Sequence, residues 1–228
     1  MHRIENLFQE EILLSNIKIA AYFILLYEHF EDVVISTVKE FYSDTCVLDG
    51  KAYSNIDDAY IRCIEKKIEN GENDYPVPWR IRLASAKRDR DTYKKEILGN
   101  KEEDAKAFRG SLRWLRKYDV ISEEEYNAIL SIRKRRNILA HELLKEIGSG
   151  LTEQDIEMIG SLLDFQQRIN AWRFQQIDMP VMGIELPQGA DADDVLGGDD
   201  AVLACIFRIL FCGEGSQFKE TLEKELIK

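Results

Sequence analysis

The first 49 residues contain neither glycine nor proline, and this is the strongest constraint on how the chain folds. Apolar residues recur there at helical spacing, at Leu7, Leu14, Ile17, Ala21 and Leu25. Without a helix breaker, the stretch predicts one long helix or two in succession. The whole chain has only 4 prolines among 228 residues, and strand patterns are nearly absent. The sequence therefore predicts an all-α fold, a helical bundle.

Further helices are predicted between the turn signals that follow. They cover residues 54–70, 80–99, 102–118, 122–146 and 152–176, and the segment 72–79, with two prolines, is expected to be an extended connector. Ser122 and Glu125 form a capping-box pattern that starts the helix at 122–146. Thr152, followed by acidic residues, starts the helix at 152–176. These helices make up one predicted domain, residues 1–177.

Residues 178–228 form a predicted C-terminal extension of different character. An acidic, glycine-containing loop at residues 189–200 is followed by a short apolar helix at 201–211 and an amphipathic tail. We expect the extension to dock on the bundle or on a second copy of the chain, because an apolar helix alone is poorly soluble.

The bulk composition narrows the classes of protein that fit. The apolar runs fall short of the roughly 20 residues that cross a bilayer, and the first residues lack the pattern of a secretory signal, so a cytoplasmic protein without a membrane partner is expected. The four cysteines, which contain no Cys-x-x-Cys pair, are expected to be buried free thiols and not metal ligands or disulfides. Residues 80–145 carry 18 Lys and Arg against 11 Asp and Glu, whereas the whole chain carries 31 against 42. A segregated basic surface of this kind can bind a polyanion, although solvated helix faces give the same pattern.

The segment RKRRNILAHE, residues 133–142, carries the residues best suited to chemistry. Arg136 falls within an apolar helical stripe formed by Ile129, Ile132, Leu139 and Leu143. A guanidinium on such a face needs an anionic partner, because an unpaired buried charge is costly. Asn137 and His141, at i and i+4, lie on an adjacent face of the same helix.

The acidic partner of Arg136 is expected on the first helix, in the segment LLYEHFEDVV. Glu28, Glu31 and Asp32 lie there within about one turn of each other. Taken alone, the pattern also fits a structural salt bridge beside a core histidine. A metal-dependent site built from these three acids and His29 is a more distant alternative.

The segment RRNILAHE resembles the Arg-x4-6-His signature of the HEPN superfamily. The capped lead-in LRKYDVISEEEYNAILSIRK and the first helix AAYFILLYEHFEDVVISTVKEFY are also similar to that family. The resemblance implies a HEPN-like helical bundle, usually a homodimer, that acts as a metal-independent RNase without a cofactor. Many such proteins are toxins of toxin–antitoxin or antiphage systems, which implies RNA and an antitoxin or regulatory protein as partners.

The resemblance assigns roles to individual residues. Arg136 and His141 correspond to its catalytic pair, Asn137 to a supporting polar group, and Glu31, or less securely Glu28 or Asp32, to the acid that holds the pair in place. Arg133, Lys134 and Arg135 are expected to contact the RNA backbone. Because some HEPN domains are non-catalytic, a helical dimerisation or adaptor module is the alternative function.

Overall fold

The architecture is known from a computed structural model, which describes residues 10–72, 77–99, 104–183 and 198–212. Helices dominate this part of the chain, and the all-α prediction is confirmed. The helices are α1 (Glu10–Phe41), α2 (Asp58–Glu69), α3 (Trp79–Tyr93), α4 (Asp104–Lys117), α5 (Glu123–His141), α6 (Leu143–Ser149), α7 (Glu153–Arg173), α8 (Met179–Met182) and α9 (Gly198–Phe211). Short π-helical turns, Lys94–Leu98 and Phe174–Asp178, extend α3 and α7.

Helix α1 is the centre of the main core. It packs against α4, α5, α6, α7 and α9. Its buried side chains are Ala20, Tyr22, Phe23, Leu26, Tyr27, Phe30, Val33, Val34 and Val38. By length and composition the stretch Ile12–Phe41 could also cross a membrane, with a mean hydropathy of 1.2, a test that core helices of soluble proteins pass as well.

A β-hairpin interrupts the helices where the sequence predicted continued helix. Strands β1 (Thr45–Leu48) and β2 (Lys51–Ser54) pair antiparallel, with Leu48 opposite Lys51. Both residues of the connecting turn, Asp49 (φ 51°) and Gly50 (φ 74°), have positive φ. An Asp-Gly pair with this backbone matches the right-handed twist of a hairpin. The prediction of helix to residue 49 was therefore wrong, and the Asp-Gly pair was the signal that indicated a hairpin.

The hairpin, α2 and α3 share a second, smaller core. Its buried members are Leu48, Tyr60, Ile61, Ile64 and Ala86. The connector expected at residues 72–79 lies partly outside the described residues, since 73–76 are not among them, and α3 begins at Trp79.

Both predicted helix starts around the motif are confirmed. The Ser122 hydroxyl accepts from the Glu125 amide at 3.1 Å, and the Glu125 carboxylate accepts from the Ser122 amide at 2.7 Å. Thr152 and Asp155 make the equivalent capping box at the start of α7. Each box satisfies two backbone N–H groups that a helix start leaves without a partner.

The C-terminal helix α9 docks on α1 and α7. Asp200 accepts hydrogen bonds from Asn170 Nδ2 at 2.6 Å and from Gln166 Nε2, and it lies 3.1 Å from His29 Nε2. The ring of Phe207 packs on Tyr22 with centroids 5.4 Å apart. Helix α9 of the extension therefore docks on the bundle, which is one of the two predicted alternatives; the other was a second copy of the chain. The acidic segment before residue 198 and the tail after residue 212 lie outside the described residues.

The cysteines are free thiols, but the prediction that they are buried was wrong for Cys212 and only partly met by the other three. Cys46, Cys63 and Cys205 are partly buried and Cys212 is exposed.

Candidate functional site

Helix α5 presents Arg136 on the side that faces the core. Ile129, Ile132 and Leu139, which share that side, are 0%, 2% and 0% exposed. The Arg136 side chain lies at the border of this stripe and is 25% exposed. The stripe was predicted to continue to Leu143, but Leu143 is 36% exposed because α5 ends before it.

Arg136 has the anionic partner that its position requires, and that partner is Glu28 on α1. The two side chains form an ion pair. The guanidinium also lies over the ring of Tyr27, 5.7 Å from its centroid, and Nη1 donates to Asn137 Oδ1 at 3.1 Å. Arg136 Nε is buried and has no hydrogen-bond partner among the described residues.

Glu31, the acid favoured from the sequence, occupies a different position. Its Oε1 lies 3.9 Å from Arg133 Nη2, so it approaches Arg133 and not Arg136. The sequence placed the right three acids on α1 but favoured the wrong member for Arg136. Glu28 and Glu31 point only about 60° apart around the helix, but they lie nearly one turn apart along it, so each meets a different arginine of α5.

Tyr27 lies beneath the guanidinium of Arg136, and it was not identified as a site residue from the sequence. Its side chain is fully buried, and its hydroxyl is enclosed without a protein partner at strict hydrogen-bond geometry in the described part of the chain. Burial raises the pKa of Tyr27, and the neighbouring Glu31 charge raises it further, while Arg133 and Arg136 oppose the change. Tyr27 is therefore a neutral aromatic surface under Arg136. Its position next to Glu28 was the available signal.

His141 is the last residue of α5, and it is exposed. The helix was predicted to run to residue 146, but it breaks at Glu142, whose backbone (φ −117°, ψ 28°) is not helical. Helix α6 begins at the next residue. Asn137, also exposed, lies one turn before His141 on the same face. The break leaves His141 at a helix end, open to a ligand.

Arg135 has a structural role that differs from the predicted RNA contact. Its Nε and Nη2 donate to the two carboxylate oxygens of Asp155 at 2.6 and 3.0 Å, and its Nη1 donates to Glu146 at 2.6 Å. The Asp155 side chain is 3% exposed and that of Glu146 14%. This Arg135 clamp joins the end of α5 to α6 and α7, so it holds the bend that follows His141.

The carboxylate of the clamp is held in its charged form. Burial alone would raise the pKa of Asp155, but hydrogen bonds from Arg135 and from the backbone and hydroxyl of Thr152 outweigh burial and lower that pKa. The same pairing, first of all the bond from Asp155, raises the pKa of Arg135.

The remaining basic residues of the run divide between core and solvent. Arg133 stacks on Phe108, 5.2 Å from its ring centroid, and is about four-fifths buried. Lys134 is exposed and has no ion-pair partner in the described ranges. Of the three residues expected to contact RNA, Lys134 is the one whose charge faces solvent.

The acids of α1 and its histidine, His29, do not converge on a common point. Glu28 pairs with Arg136, while His29 bonds to Asp200 of α9. Within residues 10–72, 77–99, 104–183 and 198–212, no group of three or more His, Cys, Asp and Glu side chains is arranged to hold a metal ion. What the site presents is a cation on an aromatic surface, an amide and an exposed imidazole. This combination offers a cation that can bind a phosphate and an imidazole that can act as a general base or acid.

No family model, curated protein or solved structure matches the chain. The HEPN resemblance therefore rests on the sequence alone, that is, on the motif segment, its capped lead-in and the first helix.

Proposed function

We propose that the protein is a metal-independent endoribonuclease of HEPN type that cleaves RNA to 2′,3′-cyclic phosphate and 5′-hydroxyl ends. The observation that supports it best is the arrangement at the end of α5. Arg136 lies on a buried aromatic surface with an acid beside it, while Asn137 and His141 follow on an exposed face at a helix end.

The residue types suit cleavage by internal transfer. His141 takes the proton of the RNA 2′-hydroxyl as a general base, and the 2′-oxygen then attacks the adjacent phosphorus. Arg136 stabilises the negative charge that builds on the phosphorane oxygens. The bond to the 5′-oxygen breaks and that oxygen takes up a proton, which leaves the cyclic phosphate and a 5′-hydroxyl. Arg136 does not serve as the base, because a guanidinium does not lose its proton at ordinary pH.

The proposal includes a homodimer. Five residues of regular helix turn through about 140°, so Arg136 and His141 of one chain point in different directions. A second copy can supply the missing group to the same phosphate. Exposed apolar side chains adjoin the motif and would be covered in such a dimer: Leu25 is 48% exposed, Ile138 43% and Leu144 87%.

In the cell, the proposed role is that of a cytoplasmic toxin or antiphage effector that acts on RNA, restrained by an antitoxin or regulatory protein. The net charge of −11 disfavours indiscriminate binding to RNA, while the basic residues concentrated at 80–145 are expected to attract phosphate locally.

A cleavage assay tests the proposal. The purified protein, with EDTA present, is expected to cut single-stranded RNA and leave cyclic phosphate ends. Arg136→Ala and His141→Ala are each expected to reduce the rate by about 100-fold or more. Lys134→Ala, a matched change on the exposed side of the same helix, is expected to weaken RNA binding and retain the chemistry. Cleavage that is unchanged in both motif variants would contradict the assignment.

The second candidate is a non-catalytic dimerisation or adaptor module, and the exposed apolar side chains beside the motif favour it as well. In that case Leu144→Glu would abolish dimerisation, measured by light scattering, while the wild-type protein would cut no RNA in the assay above. Dimers that persist in Leu144→Glu would argue against this surface as the interface.

A further inference from the structure

Two adjacent arginines of α5 are paired in opposite ways. Arg135 is held by two carboxylates that are largely buried, and its Nε, Nη1 and Nη2 all donate hydrogen bonds. Arg136 is held by one carboxylate, that of Glu28, which is 50% exposed, and its Nε has no partner among the described residues. All three nitrogens of Arg135 therefore have a carboxylate partner, whereas Nε of Arg136 has none in the described part of the chain.

We infer that Glu28 is an exchangeable counter-ion that occupies the phosphate position on Arg136 until RNA displaces it. This inference deepens the proposed function and rests on it. A permanent positioning acid is expected to be buried and to bind through both oxygens, as Asp155 does with Arg135. The Glu28 side chain is 50% exposed, so its carboxylate can move away from Arg136 into water and does not become a buried, unpaired charge.

Arg136 keeps its place when Glu28 leaves. The ring of Tyr27 lies beneath the guanidinium, and Asn137 accepts a hydrogen bond from Nη1. Cation–π contact with a buried ring holds the guanidinium without using its N–H donors. The donors that Glu28 releases are then available to a phosphate, and a guanidinium binds a phosphate with two parallel bonds where geometry allows.

The size of the effect follows from the exposure of the pair. An exposed ion pair stabilises by an amount that corresponds to at most about fivefold in an equilibrium constant. The need to displace Glu28 therefore lowers the affinity of the protein for RNA at most about fivefold, a loss small enough that RNA can still bind. The carboxylate at the same time discourages solitary anions that make no other contacts.

The test uses Glu28→Gln with Asp32→Asn as its matched control. Asp32 lies one turn further along α1, is exposed, and has no ion-pair partner in the described ranges, so both variants remove one negative charge from the same region. The probe is a single-stranded 2′-O-methyl oligouridylate, whose blocked 2′-oxygen prevents cleavage. E28Q is expected to lower its dissociation constant about two- to fivefold more than D32N does. In an Arg136→Gln background this difference is expected to vanish.

The opposite outcome identifies a positioning acid. If E28Q weakens binding of the oligonucleotide, or changes it no more than D32N does, Glu28 is not a displaceable counter-ion. If neither the wild type nor any variant binds the oligonucleotide, the proposed RNase function fails.

The exchange itself has a separate readout. Inorganic phosphate is titrated into the ¹⁵N-labelled protein and followed at the Arg136 Nε–H resonance. Half-saturation is expected at a lower phosphate concentration in E28Q than in D32N or the wild type. Equal responses in the three proteins, or no response in any, would overturn the inference regardless of the RNA result.

Discussion

Replacing Asp155 by asparagine tests whether the Arg135 clamp holds the bend behind His141. Asp155 accepts hydrogen bonds from two nitrogens of Arg135 and from the amide and hydroxyl of Thr152. Its carboxylate therefore serves the clamp and the capping box of α7 together. Asparagine keeps the size of the side chain but removes the charge and turns one acceptor into a donor that faces other donors.

The expected loss of stability follows from the burial of the pair. Breaking a buried ion pair by removing one partner costs about 3–5 kcal/mol. Arg135 retains Glu146 as a second partner, so the lower end, about 3 kcal/mol, is expected. For a chain of this length, that corresponds to a fall in the midpoint of thermal unfolding of about 6–12 °C.

The assay is urea unfolding followed by circular dichroism, with Glu153→Gln as the control. Glu153 lies in the same first turn of α7 but is exposed, so its substitution loses only the interaction with the helix dipole, about 0.3–1 kcal/mol at most. The slope of the unfolding free energy with urea is expected to be unchanged in both variants. If Asp155→Asn destabilised the protein no more than Glu153→Gln did, the clamp would not hold the bend.

The dependence of this effect on pH has a definite sign. The folded protein lowers the pKa of Asp155, so the unfolded chain binds the proton more readily. The carboxylate thus stabilises the fold fully above its unfolded pKa of about 3.9. That contribution is lost as the pH falls toward the folded pKa. The difference in unfolding free energy between wild type and Asp155→Asn is expected to be constant near neutral pH and to shrink below about pH 4.

Two further predictions test the packing. A Cβ on Gly110 of α4 would lie 2.1 Å from the backbone oxygen of Ile97, whereas a Cβ on Gly160 of α7 would meet nothing within 4 Å. Gly110→Ala is therefore expected to lower the free energy of unfolding by about 1–3 kcal/mol or more. Gly160→Ala is expected to raise it by up to about 1 kcal/mol, because alanine has the higher helix propensity. If urea unfolding gave changes of the same sign for both variants, the packing at these two glycines would be contradicted. Asp200→Asn is expected to speed hydrogen exchange of the α9 amides more than that of the α5 amides, because Asp200 joins α9 to α1 and α7. Equal acceleration in both helices would show that α9 unfolds only with the bundle.

The local features of the chain were readable from the sequence because neighbouring residues determine them. The capping box at Ser122 depends on a residue three positions later and was predicted correctly, and Thr152 was predicted correctly as the start of a helix, whose capping box with Asp155 the structure added. The hairpin is also determined locally, by the Asp49-Gly50 pair. It was missed because the absence of glycine and proline before residue 50 was given more weight than that pair. The break at Glu142 carries no proline or glycine, and the contacts of Arg135 with Glu146 and Asp155 across the bend were not visible in the local sequence.

The sequence by itself determined that the chain is helical, where most helices begin, and that an arginine lies on the buried side of α5 with acids available on α1. Only the tertiary structure decided that Glu28 pairs with Arg136, that Glu31 approaches Arg133, and that Arg135 is engaged by Asp155 and Glu146. The physical reason is that each residue of a helix is rotated by about 100° from the one before it. Arg133, Arg135 and Arg136 therefore leave α5 in different directions, although their chemistry is the same. Which carboxylate each one meets depends on how α1, α6 and α7 pack around α5.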